Sequence, residues 1–487
     1  MAELRVATSS GEIATLDDRI VERLRSGLRG GVLRAGEIGY EDARRVWNGM
    51  IDKRPALIAR CASAEDMIRA VNFARENDLL VAVRGGGHGV GGASTCDGGI
   101  MIDLSPMKGV RVDPERRVVR AGGGVTIGEL DTETQAFGPA TPMGVVSETG
   151  IAGLTLGGGI GWLRRKHGLS CDNLVSAEVV TADGRLLTAG ASENEDLFWG
   201  LRGGGGNFGV VTSFEYLLHP VGPEVMFCFV FYHGDETKEA LRFYREYAAT
   251  APEEVTSFTI CGTVPDVEPF PESIHGLPYI LFAAMYAGSV DEGGRAMQPL
   301  REFGEPLIDF SGPMPYIEVQ SLLDEDYPAG ELRYYWKSLY LDDLGDEAID
   351  RIIEHTTKRP SPLSTVDLWH MGGAIGRIGA EESAFGGREA PFLLGVEANW
   401  ENPREDERNI AWARECVEDM QRFSGGAQYL NFPGFLEGGD QTLQATFGDK
   451  HERLVALKNN YDPTNLFCLN QNIKPTVLGV RSEIESG

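Results

Sequence analysis

The chain has 487 residues, 42% hydrophobic and 24% charged, enough for two domains or for one domain with a large insertion. Its 73 acidic and 45 basic side chains leave a formal net charge of -28, which argues against a nucleic-acid partner because phosphate binding needs clustered Lys and Arg. No apolar run reaches the roughly 18 residues that would suggest a membrane span. The N-terminal MAELRVATSSGEIATLDDRI lacks the apolar centre of a secretory signal, so the expected location is cytoplasmic. Seven cysteines, Cys61, Cys96, Cys171, Cys228, Cys261, Cys416 and Cys468, are scattered, odd in number and form no C-x-x-C pair. They read as reduced thiols, and with no H-E-x-x-H motif present no metal site is expected.

From Ala56 to Val83 the pattern predicts strand, helix, strand. ALIARCAS is a short apolar run, Ser63 stands at the N-cap of the helix AEDMIRAVNFAREN, and LLVAVRGG reads as a buried strand. Such a start implies a helix-covered sheet. GIMIDLS, RVVRAGGGV, SAEVVTADGRLLTA and GVVTSFEYLLHP follow as glycine-rich strand candidates. Beyond Pro220 the texture changes. MFCFVFYHG, TSFTICGTV, PYILFAAMYAG, RYYWKSLYLDD, TVDLWHMGGAIGRI and PFLLGVEANW predict antiparallel sheet with helices on one face. PREDERNIAWARECVEDMQRFSG is an amphipathic helix, and the asparagine-rich stretch from YLNFPGF to LNQNIKP reads as a lid or a return to the first domain. The predicted fold class is therefore α+β, with a boundary near residue 220.

Three glycine loops stand out: RGGGHG from Arg84, GIAGLTLGGGIGWLRRKHGLSCDN from Gly150, and LRGGGGNFGVV from Leu201. Without a Cβ, main-chain N–H groups can approach an anion closely and positive φ is free. None of the loops is a P-loop or the helix-opening G-x-G-x-x-G. Together they point to one long ligand held at several places, better a dinucleotide than a mononucleotide.

These loops, taken in order with IDLSPM, resemble the FAD-linked oxidases of the p-cresol methylhydroxylase/vanillyl-alcohol oxidase type. YLNF and FGDKHERLVALKNNYDPTNLFCLNQNIKP narrow the resemblance to berberine-bridge-enzyme-like oxidoreductases, over residues 50–478. It implies a two-part FAD-binding domain and a substrate domain of antiparallel sheet covered by helices. The expected divisions are an N-terminal segment 1–50, an FAD-binding domain 51–220, a substrate domain 221–425 and a C-terminal segment 426–487 that returns to the FAD domain. The resemblance further implies FAD attached covalently through His88, cradled by Arg84, Gly85, Gly86, Gly87 and Gly89. Gly150, Gly153, Gly158, Gly159 and Gly161 match the isoalloxazine and ribityl loop, closed by Asp172 and Asn173. Gly209 and Val210 match the adenosine-facing segment, and Asn431, Asn470 and Gln471 the tail positions near the flavin. Where many members carry a second, cysteinyl link this chain has Val146, so one covalent link is expected. Thr149 falls at the family's oxygen-gating position.

By the same resemblance Tyr429, in YLNF, is the general base. A phenol with an ordinary pKa near 10 needs a nearby positive charge or donor for that role, and Lys337 and Arg388 are candidates. The family's second tyrosine is Phe432 here. His370, in DLWHMGG, is a second catalytic candidate, and Tyr334, Tyr335 and Trp336 alternate faces on one strand that either lines a pocket or packs the core. The implied activity is FAD-dependent oxidation of an alcohol, a sugar or a phenolic metabolite, with hydride passing to flavin N5 and oxygen or another acceptor taking the electrons. A flavin-binding redox carrier without turnover is the alternative.

Overall fold

The computed structural model describes residues 3–435, 437 and 439–476. The chain opens with a hairpin, Glu3–Ala7 against Ile13–Asp17, and the helix Asp18–Gly27. A four-stranded sheet follows, in the order Val32–Leu33, Leu57–Arg60, Ile100–Asp103, Val81–Arg84, and its last three strands are parallel. The helix Ala64–Glu76 makes the crossover, and the Ser63 hydroxyl accepts the Asp66 N–H at its start (3.2 Å). The Val81–Arg84 strand ends in RGGGH, which places His88 just beyond a sheet edge.

An antiparallel five-stranded sheet comes next: Leu186–Gly190, Leu174–Val180, Val210–Leu217, Val118–Gly122, Val110–Asp113. The short helix Ile151–Leu156 of the second glycine loop packs into its core.

After Leu217 the chain enters an eight-stranded antiparallel sheet. Its main path runs Ile308–Asp309, Glu224–His233, Pro278–Tyr286, Val255–Thr263, Thr365–His370, Phe392–Trp400, Arg333–Leu341. Strand alternation divides its side chains between two faces. One face buries Cys228, Val230, Leu339 and Val396 against the helices Thr237–Thr250, Val290–Arg301, Asp346–Thr357 and Asp406–Met420. The other presents Phe227, Phe258, Trp369 and Leu393 toward Trp162 and Tyr429. Burial of each such side chain stabilises the fold by roughly 1.5–3 kcal/mol.

The tail forms two helices, Gly439–Phe447 and Lys450–Tyr461, that the sequence pattern did not reveal. It is bound to the third glycine loop. Lys458 is fully buried and donates to Asp462 (2.7 Å) and to the carbonyls of Asn207 and Phe467 (both 3.0 Å). Among the described residues no helix is long and apolar enough to cross a membrane.

Candidate active site

A long cavity runs between the glycine loops and the uncovered face of the large sheet. From the expected set it is lined by Gly85, Gly86, Gly87, His88, Gly89, Gly150, Gly153, Gly209, Val210, Tyr429, Asn431, Asn470 and Gln471. The loops are in backbone contact: a Cβ on Gly86 would lie 2.4 Å from Gly150 N, and one on Gly150 would lie 2.3 Å from Gly86 N. At Gly89 and Gly153 a Cβ would meet nothing within 4 Å, so both open onto free space. The tail closes the cradle. Asn470 Nδ2 donates to Gly206 O (2.9 Å), Asn431 Nδ2 to Leu154 O (3.1 Å), and Gln471 Nε2 to Leu430 O.

His88 is half-buried, its ring stacked on Trp47 with centroids 4.3 Å apart, and Trp47 stacks in turn on Tyr334 at 3.8 Å. Burial pushes its pKa down to about 4, so the imidazole is neutral near pH 7. Its Nε2 is buried with no hydrogen-bond partner, as are Ser94 Oγ and Asn470 Oδ1 on the same cavity. Native interiors rarely leave such atoms unmatched, and their grouping here marks a ligand position.

The other expected positions stand off the cavity. Arg84 turns away to donate to Ala43 O. Gly158 and Gly159 take positive φ, +115° and +85°, and Gly161 packs so closely that a Cβ would reach 1.5 Å from Met143 O. Asp172 forms a buried double hydrogen bond with Arg388 (2.6 and 3.0 Å), and Asn173 Nδ2 donates to the carbonyls of His167 (2.8 Å) and Leu169 (2.9 Å). These residues brace the loop from behind.

His370 also lies off the cavity. Asp367 and Trp369 on its strand face inward, so alternation turns His370 to the opposite side, near Arg164 and Arg165. Burial and those cations push its pKa down to about 2, leaving it neutral. Tyr429 does line the cavity, but neither Lys337 nor Arg388 reaches its oxygen. Lys337 is beside Glu437 (3.9 Å), and Arg388 is committed to Asp172. The phenol oxygen instead accepts Ile160 N–H (3.2 Å) and Asn431 Nδ2 (2.9 Å), while burial raises its pKa to about 12.

Two carboxyl groups that sequence reading passed over share the far end of the cavity. The register sets Ile260, Asp367 and Gly395 abreast, and Trp336, Glu397 and Thr365 abreast one step further on. All face the cavity side, and the missing side chain at Gly395 leaves room for Asp367 and Glu397 to meet diagonally. The two carboxyls are hydrogen-bonded to each other, and Tyr327 Oη donates to Glu397 Oε2 (2.8 Å). Burial raises both, Glu397 further because Asp367 lies beside it. Buried together, the two carboxyls do not both ionise readily, and the pair holds a shared proton. The signal available beforehand was a single acid inside each of two apolar strands, VDLW and GVEA.

Residues 55–190 match the FAD binding domain family, and residues 428–474 the berberine and berberine-like family. An FAD-linked oxidoreductase of Dictyostelium discoideum is 32% identical over 461 residues, 94% of this chain and 97% of that protein. This chain belongs to the berberine-bridge-enzyme-like FAD-linked oxidoreductases. (R)-6-hydroxynicotine oxidase of Paenarthrobacter nicotinovorans is 29% identical, across 92% of this chain and 97% of that protein. Among solved structures, 6-hydroxy-D-nicotine oxidase from Arthrobacter nicotinovorans superposes with a TM-score of 0.83 at 28% identity, covering 92% of this chain and 98% of that one. Berberine bridge enzyme from Eschscholzia californica shares the fold, with a TM-score of 0.81, 21% identity, and 94% and 99% coverage.

The residues present suit the cofactor of this oxidoreductase family. FAD needs an anion cradle of backbone N–H groups, which the glycine loops provide where, among the described residues, no Lys or Arg lines the cavity. It also needs open space beside the glycines, found at Gly89 and Gly153, and polar atoms in want of partners, found at His88, Ser94 and Asn470. None of the seven cysteines lines the cavity, and Val146 does.

Proposed function

We propose that this enzyme holds FAD covalently through His88 and oxidises a small organic substrate at the aromatic, carboxyl-bearing end of the cavity. FAD, when bound, takes up the hydride from the substrate carbon and passes the electrons to oxygen or another acceptor. His88 suits attachment because it is neutral, half-buried and partnerless at Nε2 within the cradle. Gly89 and Gly153 leave space for the cofactor, Gly86 and Gly150 let the two loops that cradle it meet, and Asn431, Asn470 and Gln471 close over it from the tail. Arg84, Asp172, Asn173, Gly158, Gly159 and Gly161 support the loops.

The proton of the oxidised group goes to the Asp367–Glu397 pair. A base works best with a pKa near the working pH, and Asp367, raised to about 7, suits that role better than Tyr429 at about 12. Tyr429 positions the substrate. With Ile160 N–H and Asn431 Nδ2 donating to its oxygen, its own O–H is left to point into the cavity. The observation that carries this reading is one continuous cavity joining His88 to a buried carboxyl pair. It also favours an enzyme over a flavin carrier, which has no use for a base beside its cofactor.

The test is an absorbance spectrum before and after acid denaturation, followed by anaerobic mixing with alcohols, amines, phenols and sugars. Yellow flavin that stays with the polypeptide, and bleaching by one class of compound, support the proposal. Flavin wholly in the supernatant overturns the covalent link, and a flavin that no compound bleaches favours the carrier.

A further inference from the structure

We propose that the substrate end of the cavity selects a compact apolar cation, an amine in its ammonium form, and rejects anions and sugars. The inference rests on the oxidoreductase reading above and narrows its substrate.

Charge comes first. Among the described residues Asp367 and Glu397 are the only acidic ones lining the cavity, no Lys or Arg lines it, and His88 is neutral. Above about pH 7, with one proton shared, the carboxyl pair carries a single negative charge in a buried site. Such a charge is costly without a counter-charge, and none faces it from the cavity. Arg359, the cation whose charge reaches Asp367, is turned to Cys261 O (3.2 Å) and Thr263 Oγ1 (3.0 Å). Apart from its carboxyl neighbour, Asp367 Oδ1 has no partner. A ligand cation would supply what the protein withholds, and an anion would face the same charge at close range.

The walls point the same way. Tyr327 and Trp336 meet edge to face at 5.2 Å, Trp336 and Phe432 at 5.3 Å, and Phe258 stacks on Trp369 at 4.4 Å. Their polar handles are largely spent within the protein: Tyr327 Oη on Glu397, and Trp336 Nε1 on Asn399 Oδ1 (2.7 Å). Phe258 is stacked on both sides, by Trp162 (4.8 Å) and Trp369, and Arg164 lies over the Trp369 ring (5.3 Å), whereas Tyr327, Trp336 and Phe432 meet one another only edge to face and offer the ring surface that attracts a cation. Few side-chain donors are left on this side: the Tyr429 hydroxyl, the partnerless Trp369 Nε1, and Thr365 Oγ1 beside Asp367. A sugar would bury several hydroxyls against these rings, at about 1–3 kcal/mol for each one left unmatched.

The test compares two ligands of one shape on the holoenzyme, benzyltrimethylammonium and its uncharged carbon isostere neopentylbenzene. Neither is oxidised, so perturbation of the flavin spectrum reports binding alone. The wild-type protein is expected to bind the cation about 30-fold more tightly, the scale of a desolvated cation–aromatic contact. Asp367→Asn with Glu397→Gln should bring the two within about threefold, and phenylacetate should not bind. Equal affinity, a preference for the neutral isostere, or binding of phenylacetate overturns the inference. Because no turnover is involved, the result stands apart from the fate of the oxidase reading. Conversely, a sugar that bleaches the flavin while the cation fails to bind would leave that reading intact and remove this one.

Discussion

Asp367 and Glu397 show how one residue's chemistry depends on what the fold sets beside it. An isolated Asp ionises near pH 4, but burial moves Asp367 to about 7 even though hydrogen bonds from Thr365 and Glu397 favour its charged form. The raised value means that the proton-accepting form is present above about pH 7 and is lost as pH falls below it. Anaerobic flavin reduction should therefore rise with pH through a limb near 7. Asp367→Asn should lose that limb and slow reduction by about 10²–10⁴-fold, the usual worth of a general base. Tyr429→Phe should keep the limb while slowing reduction less. Should Tyr429→Phe abolish the limb and Asp367→Asn leave it, the base is the phenol. At the other end of the cavity, His88→Ala should release flavin into the supernatant on acid denaturation, where the wild-type protein keeps it. Substituting any cysteine should leave the attachment unchanged, since none lines the cavity.

At the scale of elements, the glycine loops separate two roles that look alike in sequence. Gly150 is pressed against Gly86, whereas Gly153, one turn into the helix Ile151–Leu156, faces open space. Gly150→Ala should force the loops apart and destabilise the protein by about 1–3 kcal/mol, read as a lower Tm. Gly153→Ala should leave the apoprotein at least as stable, because alanine is worth up to about 1 kcal/mol over glycine in a helix. Its methyl group would occupy cofactor space, so flavin content should fall all the same. A Gly153→Ala protein with full flavin would show that FAD does not use that space. Arg388 and Asp172 brace the same loop with side chains 5% and 2% exposed. Removing one partner of so buried a pair leaves an uncompensated charge, so Arg388→Gln should cost about 3–5 kcal/mol.

At the scale of the molecule, the cavity is built from distant stretches of chain. His88 and the glycines come from the first half, Asp367 and Glu397 from the large sheet, and Tyr429, Asn431, Asn470 and Gln471 from the tail. Asn207 ties the last to the first, its Nδ2 donating to Gln471 O (3.2 Å) and its Oδ1 accepting Ile473 N–H (3.0 Å). A fragment ending near residue 220 should therefore fail to retain flavin as the full chain does. Tight retention by that fragment would contradict a cofactor domain completed by the tail.

The sequence by itself determined the strand–helix–strand start, the antiparallel second half and the glycine cradle ending in His88. These are local properties: side-chain period, capping, and a backbone freedom that glycine carries wherever it stands. It also located Tyr429 and Asn431 through a motif of adjacent residues. The tertiary structure alone decided which of these face the cavity. Strand alternation turned Trp369 inward and His370 outward, a difference of one residue that composition cannot express. Asp367 and Glu397, 30 positions apart, became a pair because antiparallel register laid their strands side by side with a glycine between them. The tail's helices escaped notice because their amphipathic pattern is weak and their burial comes from docking on Asn207 and the third glycine loop. Contacts between distant segments, and the desolvation that follows from them, are what turned two ordinary acids into the proposed base.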